Sequence, residues 1–234
     1  MPDLPVYLLW EEKLDFSHHL FNQFEKWATK IIFDSELADH LPNFANTLLA
    51  RQERARWKIA DLNWARIESW RELFSSTFDS EERLHLLQRA KKINLIFNAY
   101  ETEFLYHTQT QAFYLQAWLA TRLDWVFTSS KELCFEYQNV IVELLPKVEK
   151  NLPVGTVISV EIFTEGKAYF LFVRDFLHPD QVKTILCDDE KCEILSKYIF
   201  NKVQAGLSLV NEIYHTGSSF HFKEVLKFFS SLQV

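Results

Sequence analysis

The chain has 234 residues, 48% of them hydrophobic and 24% charged, enough to bury roughly 70–75% of its unfolded surface in one or two cores, which excludes a disordered tail. Its 25 Lys and Arg against 32 Asp and Glu leave a net charge of −7, with 14 basic and 18 acidic groups over residues 1–130 and 11 and 14 beyond, so a basic face of nucleic-acid size is excluded. The four glycines, Gly155, Gly166, Gly206 and Gly217, all follow residue 154, which excludes Walker and dinucleotide loops from the first half, where backbone amides would have to wrap a phosphate.

The start, Met-Pro-Asp-Leu-Pro, has no basic region followed by an apolar stretch, and no run of 18 apolar residues occurs anywhere. Neither secretion nor membrane insertion is encoded, and a cytoplasmic protein is expected. Val6 to Trp10 reads as a strand. Leu20, Phe21, Phe24, Trp27 and Ala28 then fall at helical spacing, and Ile31-Ile32-Phe33 reads as a second strand. A connection of that length suits parallel strands, so the first half opens as an α/β layer. Helices are predicted over 43–58, 62–78 and 81–90, the last with Asp79 and Glu82 at capping-box spacing. A strand follows over 92–100, then a strongly amphipathic helix over 110–125.

All seven tryptophans lie between Trp10 and Trp125, and eight of the nine arginines lie before residue 123. Composition changes near residue 130, where Thr128-Ser129-Ser130 is the most loop-like stretch. This divides the chain into regions 1–127 and 128–234, which can still share one core. The second region is rich in β patterns, at 133–145, 157–164, 167–174 and 182–187, with Glu165-Gly166 as a two-residue hairpin loop. An antiparallel meander is expected. Apolar residues at 194, 195, 198, 199, 203, 207, 209, 210 and 213 predict a helix after Cys192, and a shorter one over 222–232 closes the chain. The fold class is thus α/β to α+β.

Projected at about 100° per residue, the helix over 62–78 places Trp64, Ile67, Trp70, Phe74 and Phe78 on one arc, with Arg66 and Arg71 on its two rims. One reading is a core helix whose arginines snorkel to the edge. The other takes Trp64, Arg66, Trp70 and Arg71 as a partner-binding surface, because indole and guanidinium groups are enriched at binding hot spots. In the helix over 110–125, Arg122 falls inside the apolar arc of Leu115, Trp118, Leu119 and Trp125. A guanidinium buried there needs an anion. That anion is either an internal carboxylate, with Glu68, Asp61 and Glu103 as candidates, or a bound sugar phosphate or acidic partner side chain.

Cys187 and Cys192 are separated by Asp-Asp-Glu-Lys, a span that a turn can close to disulfide distance. Three acids between them raise thiol pKa values, so reduced thiols in a turn are the default, with a redox-responsive pair as the alternative. The histidines offer neither HExxH nor a paired Cys/His spacing, so no metal is expected. Ser218 and Ser219 lie near His215 and His221 without a G-x-S-x-G elbow and read as a loop between helices. The pairs Glu11-Glu12 and Glu81-Glu82 are adjacent, point apart, and make poor acid/base partners.

Three stretches together resemble one known family. They are Leu4-Pro5-Val6-Tyr7-Leu8-Leu9-Trp10, then Ala60-Asp61-Leu62-Asn63-Trp64-Ala65-Arg66-Ile67-Glu68-Ser69-Trp70-Arg71-Glu72-Leu73, and Ala117-Trp118-Leu119-Ala120-Thr121-Arg122-Leu123-Asp124-Trp125. They are similar to the OpcA-type glucose-6-phosphate dehydrogenase assembly proteins, and the middle stretch, D-L-x-W-x-R-x-x-x-W-R-x-L, is the specific one. The resemblance covers about 4–125. It implies a non-catalytic cytoplasmic protein without a cofactor, which binds glucose-6-phosphate dehydrogenase, promotes its active oligomer and activates it in the oxidative pentose phosphate pathway. In photosynthetic bacteria the family is tied to redox control through thioredoxin, though neither Cys187 nor Cys192 falls in a family motif. Many members carry a further N-terminal region, whereas this chain begins almost on the first strand, as a short lineage variant or a truncated chain. Two other readings stand beside it: a sugar-phosphate sensor in which Arg122 acts with Arg66 or Arg71, and a pentose-pathway hydrolase, disfavoured because no nucleophile, metal set or convergent carboxylate pair appears.

Overall fold

The computed structural model describes residues 4–102, 107–166, 168–188, 191–200, 209, 210, 213 and 219–232. Its helices are α1 (His19–Phe24), α2 (Leu41–Gln52), α3 (Leu62–Arg66), α4 (Glu68–Thr77), α5 (Glu81–Gln88), α6 (Thr110–Arg122) and α7 (Phe220–Ser231). Its strands are β1 (Tyr7–Trp10), β2 (Lys30–Phe33), β3 (Lys58–Asp61), β4 (Ala90–Asn98), β5 (Phe127–Lys131), β6 (Cys134–Tyr137), β7 (Ile141–Lys147), β8 (Val157–Thr164), β9 (Tyr169–Arg174), β10 (Gln181–Cys187) and β11 (Cys192–Ile199). The chain divides into two units, Met1–Arg66 with Gln204–Val234, and Ile67–Val203.

The first unit is built on a parallel sheet in the order β1-β2-β3. Parallel neighbours cannot be joined by a tight turn, and here α1 and α2 lie in the two connections. β2 is central and all four of its residues are buried. Phe21, Phe33 and Trp57 pack with ring centroids 6.1–6.4 Å apart, and Glu25 ties the layer together by accepting from Arg51 and, at 3.3 Å, from Trp57 Nε1. α7 packs on α2, with Phe222, Val225, Leu226 and Phe229 fully buried. Its N-terminus is capped by Ser219 Oγ, which accepts from the Phe222 amide at 3.3 Å.

The second unit carries an eight-stranded sheet in the order β11-β10-β9-β8-β4-β7-β6-β5, antiparallel except for the pair β4 and β7. Alternation is clean in β9 and holds over the second half of β8 and the first half of β10. Val160, Ile162, Phe170, Phe172 and Val182 are buried on one face, where Phe74 of α4 meets Phe172 at 4.7 Å and Phe78 meets Phe170 at 5.0 Å. α6 is buried on nearly every side from Thr110 to Ala120, as expected of a helix enclosed by protein rather than lying on a surface. The mixed α/β architecture, the β1-α1-β2 layer and the meander from β8 to β10 agree with the sequence reading.

Five local expectations need correction. The helix predicted over 43–58 stops at Gln52, because Lys58 to Asp61 pairs with β2 as a third parallel strand. The helix over 62–78 breaks at Ile67, whose backbone leaves the helical region at φ −93° and ψ 5°. Ser80, not Asp79, caps α5, its Oγ accepting from the Arg83 amide at 3.3 Å. The segment after Cys192 is strand β11 as far as Ile199, since pairing with β10 satisfies its backbone; of the rest of the predicted helix, Leu209, Val210 and Ile213 are helical, and residues 203 and 207 lie outside the described residues. Finally, Thr128-Ser129-Ser130 lies within β5, paired with β6, so the expected division into 1–127 and 128–234 gives way to one at Arg66 and Ile67.

Candidate functional site

The specific motif begins where the parallel sheet of the first unit ends. Asp61, the last residue of β3, is fully buried and accepts four hydrogen bonds: from the Ser35 amide and Ser35 Oγ at 3.0 Å each, from the Asn63 amide at 2.9 Å and from the Trp64 amide at 3.0 Å. It therefore caps α3 and clamps the turn after β2 at once. Burial, and next the nearby Asp34 carboxylate, push its pKa up from 3.8 to about 7, against the lowering effect of these bonds. Asn63 extends the network, donating from Nδ2 to Asp34 at 2.9 Å and to Ser35 Oγ at 3.1 Å. Arg66 completes it, donating to Asn63 Oδ1 at 2.8 Å and pairing with Glu36 at 3.0 Å and Asp34 at 3.6 Å. Trp64 is buried against Phe222, centroids 5.6 Å apart.

The rest of the motif belongs to the second unit. Trp70 is 1% exposed. The guanidinium of Arg174, itself buried, stands 5.6 Å from the Trp70 ring and 4.7 Å from that of Phe200. Arg174 donates to the Val157 carbonyl at 2.8 Å and the Pro179 carbonyl at 2.7 Å; burial pulls its pKa down to about 10, which leaves it a cation at neutral pH. Arg71 is half-buried. The expected surface of Trp64, Arg66, Trp70 and Arg71 is thus distributed: both indoles are core residues, and only the two arginines reach solvent.

The buried guanidinium inferred at Arg122 is elsewhere. α6 ends at Arg122, and Asp124 takes φ 51° while the Trp125 amide bonds the Ala120 carbonyl at 3.0 Å, a Schellman-type stop that ends the apolar arc before Trp125. Arg122 is exposed on the last turn, where the helix dipole favours a cation, so it has no need of a buried anion. Of the carboxylates proposed for it, Asp61 is engaged as above, Glu68 is half-buried, and Glu103 lies outside the described residues. Among the described residues the buried guanidinium is that of Arg174, which sits in a β-strand where a search for helical arcs does not look; its alternation with Phe170 and Phe172 was the available signal.

Cys187 and Cys192 face each other across the β10 and β11 hairpin, with Cα atoms 4.0 Å apart, and are joined as a disulfide rather than being reduced. Of the serines and histidines near the C-terminus, His215 and Ser218 lie outside the described residues, whereas Ser219 caps α7 and His221 lies in its first turn. Beside the end of α6 a cavity of about 190 Å³ is lined by Leu123, Asp124, Trp125, Tyr137 and Asn139, below the roughly 300 Å³ at which small-molecule sites begin. Among the described residues no group of three His, Cys, Asp or Glu could hold a metal ion, and no helix is long and apolar enough to cross a membrane.

Comparison with known proteins adds family and fold. Residues 57–185 match the family described as the C-terminal domain of the glucose-6-phosphate dehydrogenase subunit. The chain is 28% identical over 144 residues to OpcA of Synechocystis sp., covering 62% of this chain and 28% of that protein. It is 26% identical over 154 residues to OpcA of Nostoc punctiforme, covering 64% and 30%. Both relatives are named as OxPP cycle proteins, and the chain spans under a third of their length. Among solved structures it resembles the 3-ketoreductase KijD10 of Actinomadura kijaniata, in complex with TDP-benzene and NADP, with a TM-score of 0.62 at 10% identity over 97% of this chain and 75% of that one. A UDP-N-acetylglucosamine 3-dehydrogenase, GnnA of Acidithiobacillus ferrooxidans, gives 0.51 at 10% identity, covering 87% and 69%. At such identity the likeness is one of fold.

Proposed function

The chain belongs to the OpcA family of glucose-6-phosphate dehydrogenase subunits, and from that premise we propose that it is a non-catalytic binding partner of glucose-6-phosphate dehydrogenase in the oxidative pentose phosphate pathway. The family match over more than half of the chain carries this reading. As an activator, the chain works by binding one conformational or oligomeric state of the enzyme better than another, and about 1.4 kcal/mol of difference shifts that equilibrium tenfold. With both motif tryptophans buried, any contribution of the motif to the interface falls to Arg66 and Arg71.

The fold likeness favours a second reading, a reductase using a dinucleotide. The parallel β1-α1-β2-α2-β3 layer is the scaffold on which such enzymes hold a pyrophosphate, against a glycine-rich turn after the first strand. In this chain that turn is Glu11-Glu12-Lys13-Leu14-Asp15, without glycine and with both glutamates exposed. Carboxylates there repel a pyrophosphate and side chains block approach to the backbone, so the residues present do not fit the cofactor. The sugar-phosphate sensor loses its grip in turn: Arg66 is engaged with Asn63, Glu36 and Asp34, and Arg122 is a solvated helix-end residue.

The test is size-exclusion chromatography with light scattering of the chain, its cognate dehydrogenase and their mixture at micromolar concentration, with turnover measured on the same samples. Co-elution with raised turnover is expected. A dehydrogenase peak unchanged by the chain overturns the proposal.

A further inference from the structure

We propose that the cavity beside the end of α6 is a socket for one arginine side chain of a protein partner. Every residue that lines it belongs to the second unit and to the stretch 57–185 that matches the family. Its volume of about 190 Å³ is too small for a nucleotide and ample for a single ring-sized group, since a cavity of about 150 Å³ takes up benzene. Two aromatic residues, Trp125 and Tyr137, line it, with ring centroids 5.4 Å apart and planes at 54°. Tyr137 is buried, and its hydroxyl donates to Gln116 Oε1 at 2.5 Å. With that hydroxyl engaged, what Tyr137 gives the cavity is ring surface.

Charge identifies the occupant. The polar side chains of the lining are Asp124, Gln88, Gln138 and Asn139, one carboxylate and three amides, with no lysine, arginine or histidine. Such a wall holds no cation to receive a phosphate or a carboxylate. Asp124 makes no ion pair with any of the described residues. It stands at φ 51°, at the position after a helix that glycine favours, so a carboxylate is kept there at a cost in backbone energy that glycine would not carry. A guanidinium answers each of these features. It is flat and weakly hydrated, so it stacks on an aromatic ring more readily than an ammonium does. Its five N–H donors meet a carboxylate and amide oxygens together, and arginine is enriched where one residue anchors an interface. On a chain of net charge −7, a basic anchor is also the kind that long-range attraction draws in. That the dehydrogenase owns this arginine rests on the function proposed above; the socket itself does not.

The experiment adds Nα-acetylarginine amide to the full chain at constant ionic strength and follows the indole N–H resonance of Trp125, identified by its loss in Trp125→Phe. The resonance should shift and saturate at low millimolar concentration. Binding should be about fivefold weaker in Asp124→Asn, as for the loss of one exposed charge pair, while the melting midpoint stays unchanged because asparagine tolerates the same left-handed backbone. The uncharged citrulline counterpart and the lysine counterpart should both bind more weakly than the arginine compound. On the same preparations, Asp124→Asn should lower affinity for the dehydrogenase about tenfold. No shift up to about 20 mM overturns the proposal, as does an equal shift from the citrulline or lysine compound, or a dehydrogenase that binds Asp124→Asn as tightly as the parent chain. A chain that seats the arginine compound yet binds no dehydrogenase upholds the socket and removes only the identity of the partner that fills it.

Discussion

Asp61 shows how one side chain in the motif couples fold to solution conditions. With a pKa near 7 in the folded chain against 3.8 for a free side chain, the folded state retains a proton between those values that the unfolded state has released. The contribution of this group to stability is therefore complete below about pH 4, falls as pH rises towards 7 at no more than about 1.4 kcal/mol per pH unit, and is constant above. Asp61→Asn keeps the volume but sets an amide donor against the donating Ser35 amide, so the variant should be less stable at every pH. It should also lose this decline. Urea midpoints from pH 4 to 8 measure both effects, and a slope as steep in the variant as in the parent chain would place the buried titration elsewhere. The sequence offered Asp61 only as one possible partner for Arg122; that it caps α3 depends on Ser35, 26 residues away, and separations of that kind leave no periodic trace.

At the scale of elements, what was legible followed local periodicity. β1, β2, β4 and the strands from β8 to β10 carry two-residue alternation or short β-branched runs, and the structure keeps them. What was illegible depended on a partner. β3 is strand because β2 offers it a parallel edge, and β11 is strand because β10 does, although the spacing of Ile194, Leu195, Tyr198 and Ile199 also suits a helix. The arc of α4 was read correctly as amphipathic, yet periodicity does not tell a face that packs on its own sheet from one that packs on another protein. Trp70 decides the matter in this chain by lying beneath Arg174 and against Phe200. Trp70→Ala should accordingly cost about 3–5 kcal/mol in unfolding free energy, while the fraction that remains folded binds the dehydrogenase with undiminished affinity. Denaturation and titration of the same preparation separate the two quantities. A tenfold loss of affinity without loss of stability would return the indole to the interface.

The whole molecule is threaded so that its first unit is closed by its last helix, because Met1–Arg66 is completed by Gln204–Val234 while the second unit is continuous in sequence. Composition along the chain could not reveal this, since a return of the C-terminus leaves no local mark at residue 66, and the shift near residue 130 reflects only where tryptophan and arginine give way to β-rich sequence. α7 places Phe222, Val225, Leu226 and Phe229 in the first unit at no more than 1% exposure. Burying such side chains stabilises by about 1.5–3 kcal/mol each, so four together approach or exceed the 5–15 kcal/mol that a domain of this size holds in total. Ending the chain before Ser219 should therefore unfold β1 to β3 and leave the eight-stranded sheet in place. Hydrogen exchange read segment by segment should show loss of protection at Ile31 to Phe33 and Ile59 to Asp61, with protection kept in β4, β8 and β9. Equal loss in both sets would mean that the two units fold as one cooperative body, and retained protection in β2 would mean that α7 is dispensable to the layer it covers.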